Sequence, residues 1–404
     1  MRIAHIIDRI DPKIGGPPAV ATRLAAAQAA AGHEVCIAAQ LPECPEAEMH
    51  ENYGGIDKYQ LVEKCFVRLD GFTETLTASA ASRSLMERLR KPDFVHIHGM
   101  WRPLLLGVAH QCRSAQIPYG VTPHGMLTRW AMSQKSIRKR AALSWRWRSV
   151  LNHAAFIHYL NEHERDESEP ASVSCLTVVL PNGVSLQEVA QSGPARGDVL
   201  ARIPPRYILF LARLGYYKGL DLLVAAFAQI AEQLPDVHLA IAGPDFGYEE
   251  TLRRLIVESG LSNRIHVLGG VYGPDKMHLL RGALCLCHPT RHEGFSMTLL
   301  EALAAAIPVV TTVNANFPEI AAFGAGVVTA TSVAGIASGL MTVLLNNESR
   351  LQMGQMGLRL AKERYEWSVI AAALANSYTS TCAHYRDAQT SSAKPARVDS
   401  GARG

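Results

Sequence analysis

Two tandem α/β domains, each built on an open parallel sheet with helices on both faces, are what this sequence predicts, and three observations carry that. The chain has 404 residues, and at about 100–200 residues per domain this suggests two domains. Short β-type runs alternate with Ala- and Leu-rich helical stretches through both halves, the order that calls for βαβ units and parallel sheets. Between the halves, LQEVAQSGPARGDVLARIPPR (186–206) holds two Gly and three Pro and has little periodicity, so a linker is placed there.

The elements follow in order. RIAHIID (2–8) reads as a strand and DRIDPKIGG as a loop, and Pro17 and Pro18 suit a first helical turn. VATRLAAAQAAA is an Ala-rich helix that Gly32 stops, and HEVCIAAQ begins the next strand. Further strands are expected at DFVHIH (93–98), IPYGVT (117–122), AAFIHYL (154–160) and LTVVL (176–180). After the linker the alternation restarts. RYILFLA, DVHLAIAG, RIHVLG, ALCLCH and IPVVTT read as strands. GLDLLVAAFAQIAEQL, YEETLRRLIVESG, PDKMHLLRG and FSMTLLEALAAA read as the helices between them. Residues 367–385 form one more helix, and the small, polar stretch 386–404 is expected to be disordered.

Composition excludes several classes. Hydrophobic residues make up 48% and charged residues 19%, enough apolar material for sizeable cores and too much for a disordered chain. A net charge of +4 is too weak for a dedicated nucleic-acid binder. No apolar run nears the roughly 18 residues needed to span a bilayer, and the start MRIAHIID breaks before a signal-peptide core could form. Eight cysteines without a C-x-x-C fit a reduced, cytoplasmic setting. Cys285 and Cys287 alternate on one strand face and read as small core residues.

In open α/β sheets ligands collect at the carboxyl ends of strands, near helix N-termini. The loop after ALCLCHPT carries Glu293, and Ser296 can cap the helix that follows. Glu301 stands eight residues beyond Glu293, on about the second turn. Carboxylates beside free N–H groups at Ser296, Met297 and Thr298 suit hydroxyl and anion recognition; as structure alone, they are a helix-dipole partner and a surface charge. The loop after RYILFLA places Arg213 at the strand end and Lys218 just before a helix, a fork and a point charge suited to a diphosphate leaving group. Two solvated basic residues flanking a turn are the plainer alternative.

In the first half, Gly15-Gly16 is a turn without the G-x-G-x-x-G of a dinucleotide site. His98 and His124 both follow strands and could donate or shuttle a proton. His96 and His98 share a face as H-x-H, but no third ligand has suitable spacing, so no metal or other cofactor is expected. Residues 129–148 carry seven Arg/Lys and no acid, with Trp130, Trp145 and Trp147 interleaved. That composition suits an anionic membrane surface, and equally a solvated helix with an aromatic core face.

Together these residues resemble family 4 retaining glycosyltransferases of the GT-B fold. HEGFSMTLLEALAAAIPVV is similar to the family's E-x7-E segment, LARLGYYKGLDLLVAAF to its Arg/Lys diphosphate loop, and LPNGV (180–184) to its interdomain turn. IAGPD, HVLGGV and the Gly15-Gly16 loop fall in the expected order. The resemblance spans roughly residues 1–385. It implies an N-terminal Rossmann-like acceptor domain (1–185), a nucleotide-sugar donor domain (207–366), parallel sheets facing across an interdomain cleft, and a last helix (367–385) crossing back to the first domain.

The resemblance also implies a role for each residue. Glu293 contacts donor-sugar hydroxyls, Glu301 the ribose, and Arg213 and Lys218 the diphosphate, aided by backbone of Gly294, Phe295, Ser296 and Met297. Gly270 and Val271 meet the base, His124 lies over the donor sugar, and Gly15 and Gly16 approach phosphates and acceptor. The reaction implied moves a hexosyl group from a UDP- or GDP-sugar to a glycan or lipid-linked acceptor, without a metal. Its setting is bacterial exopolysaccharide or lipopolysaccharide assembly, cytoplasmic or peripheral at the inner face of the membrane. Ser296-Met297 stands where Gly with a small or apolar residue is frequent, so sugar selectivity does not carry over. The rivals are a nucleotide-sugar 2-epimerase on the same fold, which needs no acceptor, and a non-catalytic nucleotide-sugar binding subunit; an NAD-dependent oxidoreductase lacks the glycine fingerprint.

Overall fold

A computed structural model describes residues 1–11, 14–134, 136–168, 175–191, 193–195 and 201–392. The first half folds on seven parallel strands: β1 (Arg2–Ile7), β2 (Glu34–Gln40), β3 (Glu63–Val67), β4 (Phe94–His98), β5 (Tyr119–Thr122), β6 (Phe156–Tyr159) and β7 (Leu176–Val179). They run in the order β3-β2-β1-β4-β5-β6-β7, so consecutive strands part company between β1 and β4, the switch point at which such sheets bind ligands. Register there sets Ile3 against Phe94 and His5 against His96.

Both faces of this sheet are covered. Ala4, Ile6, Val95 and Ile97 pack in one cluster, with Leu104, Leu105 and Val108 of the helix Pro103–Ser114. Ile7, Val35 and Ile37 pack in another, against Ala21, Ala25 and Ala29 of the helix Gly16–Ala30. Burial on two faces explains why these strands are continuously apolar rather than alternating.

The second half repeats the plan with β8 (Tyr207–Leu211), β9 (His238–Ala242), β10 (Ile265–Gly269), β11 (Cys285–His288), β12 (Val309–Thr312) and β13 (Gly326–Thr329). The order is β10-β9-β8-β11-β12-β13, again all parallel, with its switch point between β8 and β11. Cys285 and Cys287 are fully buried among Ile208, Phe210 and Val310, as small core residues.

The sequence reading missed two strands. Val62–Val67 is broken by Glu63 and Lys64, which are exposed on the edge strand β3, and only Cys65 and Val67 mark the buried side. β13 has only four residues and no fully buried side chain.

The chain divides into two compact units, Met1–Leu180 with Ala371–Gly404, and Pro181–Ile370. The first therefore ends five residues before 185. The stretch read as a linker (186–206) is in part structured: Leu186–Ala190 is a helix capped by Ser185, Val189 is buried in the second core, and Arg281 donates to the carbonyls of Val189 and Ala190 at 3.3 and 3.0 Å. Residues 192 and 196–200 of it lie outside the described residues.

The last helix runs Trp367–Ser392, seven residues beyond the expected end, because extending a formed helix through Ala and Gln costs far less than nucleating one. Residues 393–404 of the expected tail lie outside the described residues. From Ala371 onward this helix belongs to the first unit, where Tyr378 stacks 4.4 Å from Phe94.

Candidate active site

The switch point of the second sheet gathers the charged residues singled out in sequence. The turn Tyr216–Lys218 follows β8, and its cap Gly219 takes φ 71°. A Cβ at Gly219 would lie 2.0 Å from the carbonyl oxygen of Pro289. Glycine therefore lets the loop after β8 rest directly on the loop after β11. The result is an ion pair between Lys218 and Glu293, both nearly buried.

His288, the last residue of β11, donates from Nε2 to the same Glu293 oxygen at 2.8 Å. Burial pushes the Glu293 carboxyl up, but the Lys218 charge and the His288 bond outweigh it and hold the group down at about 2. Burial pushes His288 down, so it stays neutral, and its Nδ1 is a buried nitrogen without a hydrogen bond.

The loop carrying Glu293 is braced on every side. Arg291 makes a two-pronged pair with Asp221 at 2.7 and 2.6 Å and covers the Tyr216 ring. Asn316 donates to the Glu293 carbonyl at 2.8 Å, and Thr311 and Thr312 hold the carbonyls of His288 and Thr290. Ser296 caps the helix Met297–Ala304 through its hydroxyl and the Leu299 N–H. Glu301, on the second turn of that helix, pairs with Lys276 at 2.7 Å.

Arg213 behaves differently. It is exposed, with its guanidinium 4.9 Å over the Phe246 ring. Gly243, whose Cβ would lie 1.8 Å from the Ala212 carbonyl, lets the loop after β9 approach the Arg213 strand end. Gly270 and Val271 follow β10, two strands from β8, with Gly270 exposed and Val271 buried. Phe295 packs on Phe317, and Gly294 and Met297 are half-buried beside it.

In the first unit, Gly15 (φ 112°) and Gly16 open the helix Gly16–Ala30 and are exposed, with open space where a Cβ would be. His124 follows β5 with φ 51°, a left-handed conformation uncommon for a residue with a Cβ. Next to it Glu164, fully buried, accepts the Gly125 N–H at 2.5 Å and the Leu160 N–H at 2.7 Å. Burial raises the Glu164 carboxyl despite those two bonds. His98 Nδ1 lies 3.2 Å from His124 Nε2.

β1 supplies the third imidazole that sequence spacing could not show: ligand atoms of His5, His96 and His98 lie within 4.8 Å. All six of their ring nitrogens, however, have hydrogen-bond partners. Sequence reasoning also missed His288, Lys276 and Glu164. For His288 a signal existed, in that it ends the strand preceding the Glu293 loop; Lys276 and Glu164 had none beyond helical position.

The basic Trp-rich stretch splits. Trp147 is 2% exposed and packs on Trp101, while Trp145 is 90% and Ile137 85% exposed. Among the described residues no helix is long and apolar enough to cross a membrane.

A Glycosyl transferase 4-like domain matches residues 15–183, and the family Glycosyl transferases group 1 matches residues 196–359. A mannosylfructose-phosphate synthase of Agrobacterium fabrum is 28% identical over 178 residues, 42% of this chain and only 39% of that protein's length. A GDP-mannose:cellobiosyl-diphosphopolyprenol alpha-mannosyltransferase of Xanthomonas oryzae pv. oryzae is 22% identical over 94% of this chain and 96% of its own. Anabaena HepE, solved in complex with UDP, superposes with a TM-score of 0.70 at 18% identity, over 94% of this chain and 100% of that one. With a group 1 domain on one sheet, a 4-like domain on the other and this strand order in both, the chain belongs to the family 4 glycosyltransferases and has their GT-B fold.

Proposed function

We propose that the protein moves a hexosyl group from a UDP- or GDP-sugar to a glycan or lipid-linked acceptor, with retention at the anomeric carbon and without a metal ion. The observation that carries this reading is the meeting of Lys218 and Glu293 at the switch point of the second sheet, with Arg213 exposed on the same loop after β8 as Lys218. An exposed guanidinium and a nearly buried ammonium suit a diphosphate that gains charge as it leaves. Glu293, ionised and held in place, accepts hydrogen bonds from donor-sugar hydroxyls. Glu301 does the same for the ribose, backbone at Gly294 to Met297 supports the phosphates, and Gly270 and Val271 meet the base. His124 contacts the donor sugar, and Gly15 and Gly16 lie by the phosphates and acceptor.

The transition state has oxocarbenium character. Retention by a covalent intermediate requires a carboxylate on the face opposite the leaving group. Same-face attack fits better: the acceptor oxygen bonds to the anomeric carbon as the C–O bond to the diphosphate breaks, and a leaving phosphate oxygen takes the acceptor's proton. The Xanthomonas relative's name specifies a cellobiosyl-diphosphopolyprenol acceptor, which supports a lipid-linked acceptor here; bacterial surface polysaccharide assembly is the setting proposed with it.

A thermal-shift screen with UDP, GDP, ADP and their common sugar conjugates tests the donor class, since a ligand binding only the folded state raises its apparent stability. A selective shift with one nucleotide, lost in Arg213→Ala, is expected; release of free nucleotide without an acceptor, or binding without turnover, would favour the epimerase or the binding subunit.

Peripheral contact with anionic lipid is part of the same proposal, supported by outward Trp145 and Ile137 within a basic segment. Co-sedimentation with anionic vesicles, reduced in Trp145→Ser, is expected; wholly soluble behaviour overturns it.

A further inference from the structure

Five histidines of the first unit join two neutral polar side chains and a threonine in a continuous chain of eight hydrogen bonds. It starts at His124 and passes to His98 (3.2 Å), His5 (2.9 Å), Gln28 (2.8 Å), Tyr378 (3.3 Å), His96 (2.6 Å), Thr122 (2.5 Å), His158 (2.9 Å) and the Leu180 carbonyl (2.7 Å). All its side chains but His124 are buried.

The far end fixes the direction of every bond. A carbonyl only accepts, so His158 Nε2 carries a hydrogen. With that ring neutral, its Nδ1 accepts and the Thr122 hydroxyl donates to it. Thr122, its one hydrogen spent, accepts from His96 Nε2. His96 Nδ1 then accepts from the Tyr378 hydroxyl, which accepts in turn from the Gln28 amide nitrogen. The Gln28 oxygen takes the hydrogen of His5 Nε2, His5 Nδ1 takes that of His98 Nε2, and His98 Nδ1 takes that of His124 Nε2. The reverse setting of the Gln28 amide is excluded, because its oxygen would then face a hydroxyl whose hydrogen already points to His96. Burial holds the rings neutral, with His5 and His158 lowered to about 4 and His124 to about 3. An amide interrupts the chain, so it carries polarity and no proton.

We infer that this chain is a positioning device: it locks His124 as the Nε2–H tautomer, so that His124 Nδ1 presents a lone pair, an acceptor and never a donor, to a hydroxyl of the bound sugar. The ligand half of this inference rests on the proposed glycosyl transfer; the tautomer half does not.

Thr122→Val tests it. Without the hydroxyl, His96 Nε2–H would be a buried donor without an acceptor, the costlier kind of orphan. His96 instead carries its hydrogen on Nδ1 and donates to Tyr378, whose hydroxyl turns to Gln28. The amide flips, and His5, His98 and His124 all become Nδ1–H. Nitrogen-15 spectra of histidine-labelled, ligand-free protein read this directly. The native chain is expected to show one neutral Nε2–H form at all five rings. Thr122→Val is expected to exchange the tautomer at His5, His96, His98 and His124 while His158 keeps Nε2–H, and Thr122→Ser to restore it.

Should Thr122→Val not fold, Tyr378→Phe keeps the ring stack and frees the amide, so His124 becomes a mixture while His96 and His158 keep Nε2–H. A native His124 that is charged at neutral pH, or one unchanged in the folded variants, overturns the chain. With the sugar nucleotide selected by thermal shift, turnover is expected to fall in Thr122→Val and return in Thr122→Ser. Tautomer exchange without loss of turnover overturns the role at the sugar. If no sugar nucleotide is turned over by the native protein, glycosyl transfer fails instead, and the spectra still decide the chain.

Discussion

Arg213 and Lys218 carry the same charge and are assigned the same diphosphate, yet their surroundings predict opposite outcomes on removal. Arg213 is exposed over a ring and bears on nothing in the core. Arg213→Ala should leave the unfolding free energy measured in urea within about 0.5 kcal/mol of native and cut turnover by about 100-fold or more. Lys218 neutralises a nearly buried Glu293. Lys218→Met leaves that carboxylate without its ammonium, and breaking such a pair costs about 3–5 kcal/mol, so its urea midpoint should fall sharply before activity is even measured. Equal stability of the two variants would contradict the burial argument. Arg213 and Lys218 were legible as a pair of cations from their spacing. That one is matched to Glu293 was not, because the match is made by two loops 75 residues apart in sequence.

At the scale of elements, what brings those loops together is a glycine with two constraints. Gly219 needs both φ 71° and the absence of a Cβ against Pro289, whereas Gly260 has the same φ with nothing within 4 Å. Gly260→Ala should cost only the left-handed backbone penalty, about 1–2 kcal/mol. Gly219→Ala should cost more and also weaken nucleotide binding, since it must lift Lys218 away from Glu293; comparing the two thermal midpoints, with and without nucleotide, checks this.

Most strands of both sheets were readable because continuous apolar runs bounded by Gly, Pro and Asp mark buried parallel strands. β3 and β13 escaped because edge position relaxes that pattern, and the helix Leu186–Ala190 because Pro and Gly nearby mask a five-residue element. The loop position of Glu293 and the helical position of Glu301 were legible from their spacing; His288 was signalled only by ending the strand before that loop, and Lys276 not at all, since it meets Glu301 from a separate helix.

For the whole molecule the buried imidazoles set a pH dependence. His5, His96, His98, His124 and His158 all have pKa values lowered by burial. Between about pH 6.5 and their folded values the unfolded chain therefore binds more protons than the native one, and stability falls as pH falls. Each contributes up to about 1.4 kcal/mol per pH unit. Glu293, depressed to about 2, adds to the loss once pH drops below the usual carboxylate range. The thermal midpoint should thus fall steeply from pH 7 to 5, and less steeply in His158→Gln; a flat profile would mean that the rings are already charged when folded.

Tyr378 packs on the sheet whose first strand starts at Arg2, although it is about 200 residues later in sequence than that sheet's last strand. On the ribosome, the first unit cannot close when its own seven strands have emerged. About 200 further residues must be made, which takes roughly 10–40 s at ordinary elongation rates. Through that interval Phe94 and Phe156 lack the ring that covers them, and Gln28 and His96 lack their shared hydroxyl. Newly made chains are therefore exposed to chaperones and proteases through the half that is finished first, and truncation anywhere before Tyr378 should be felt at the N-terminus.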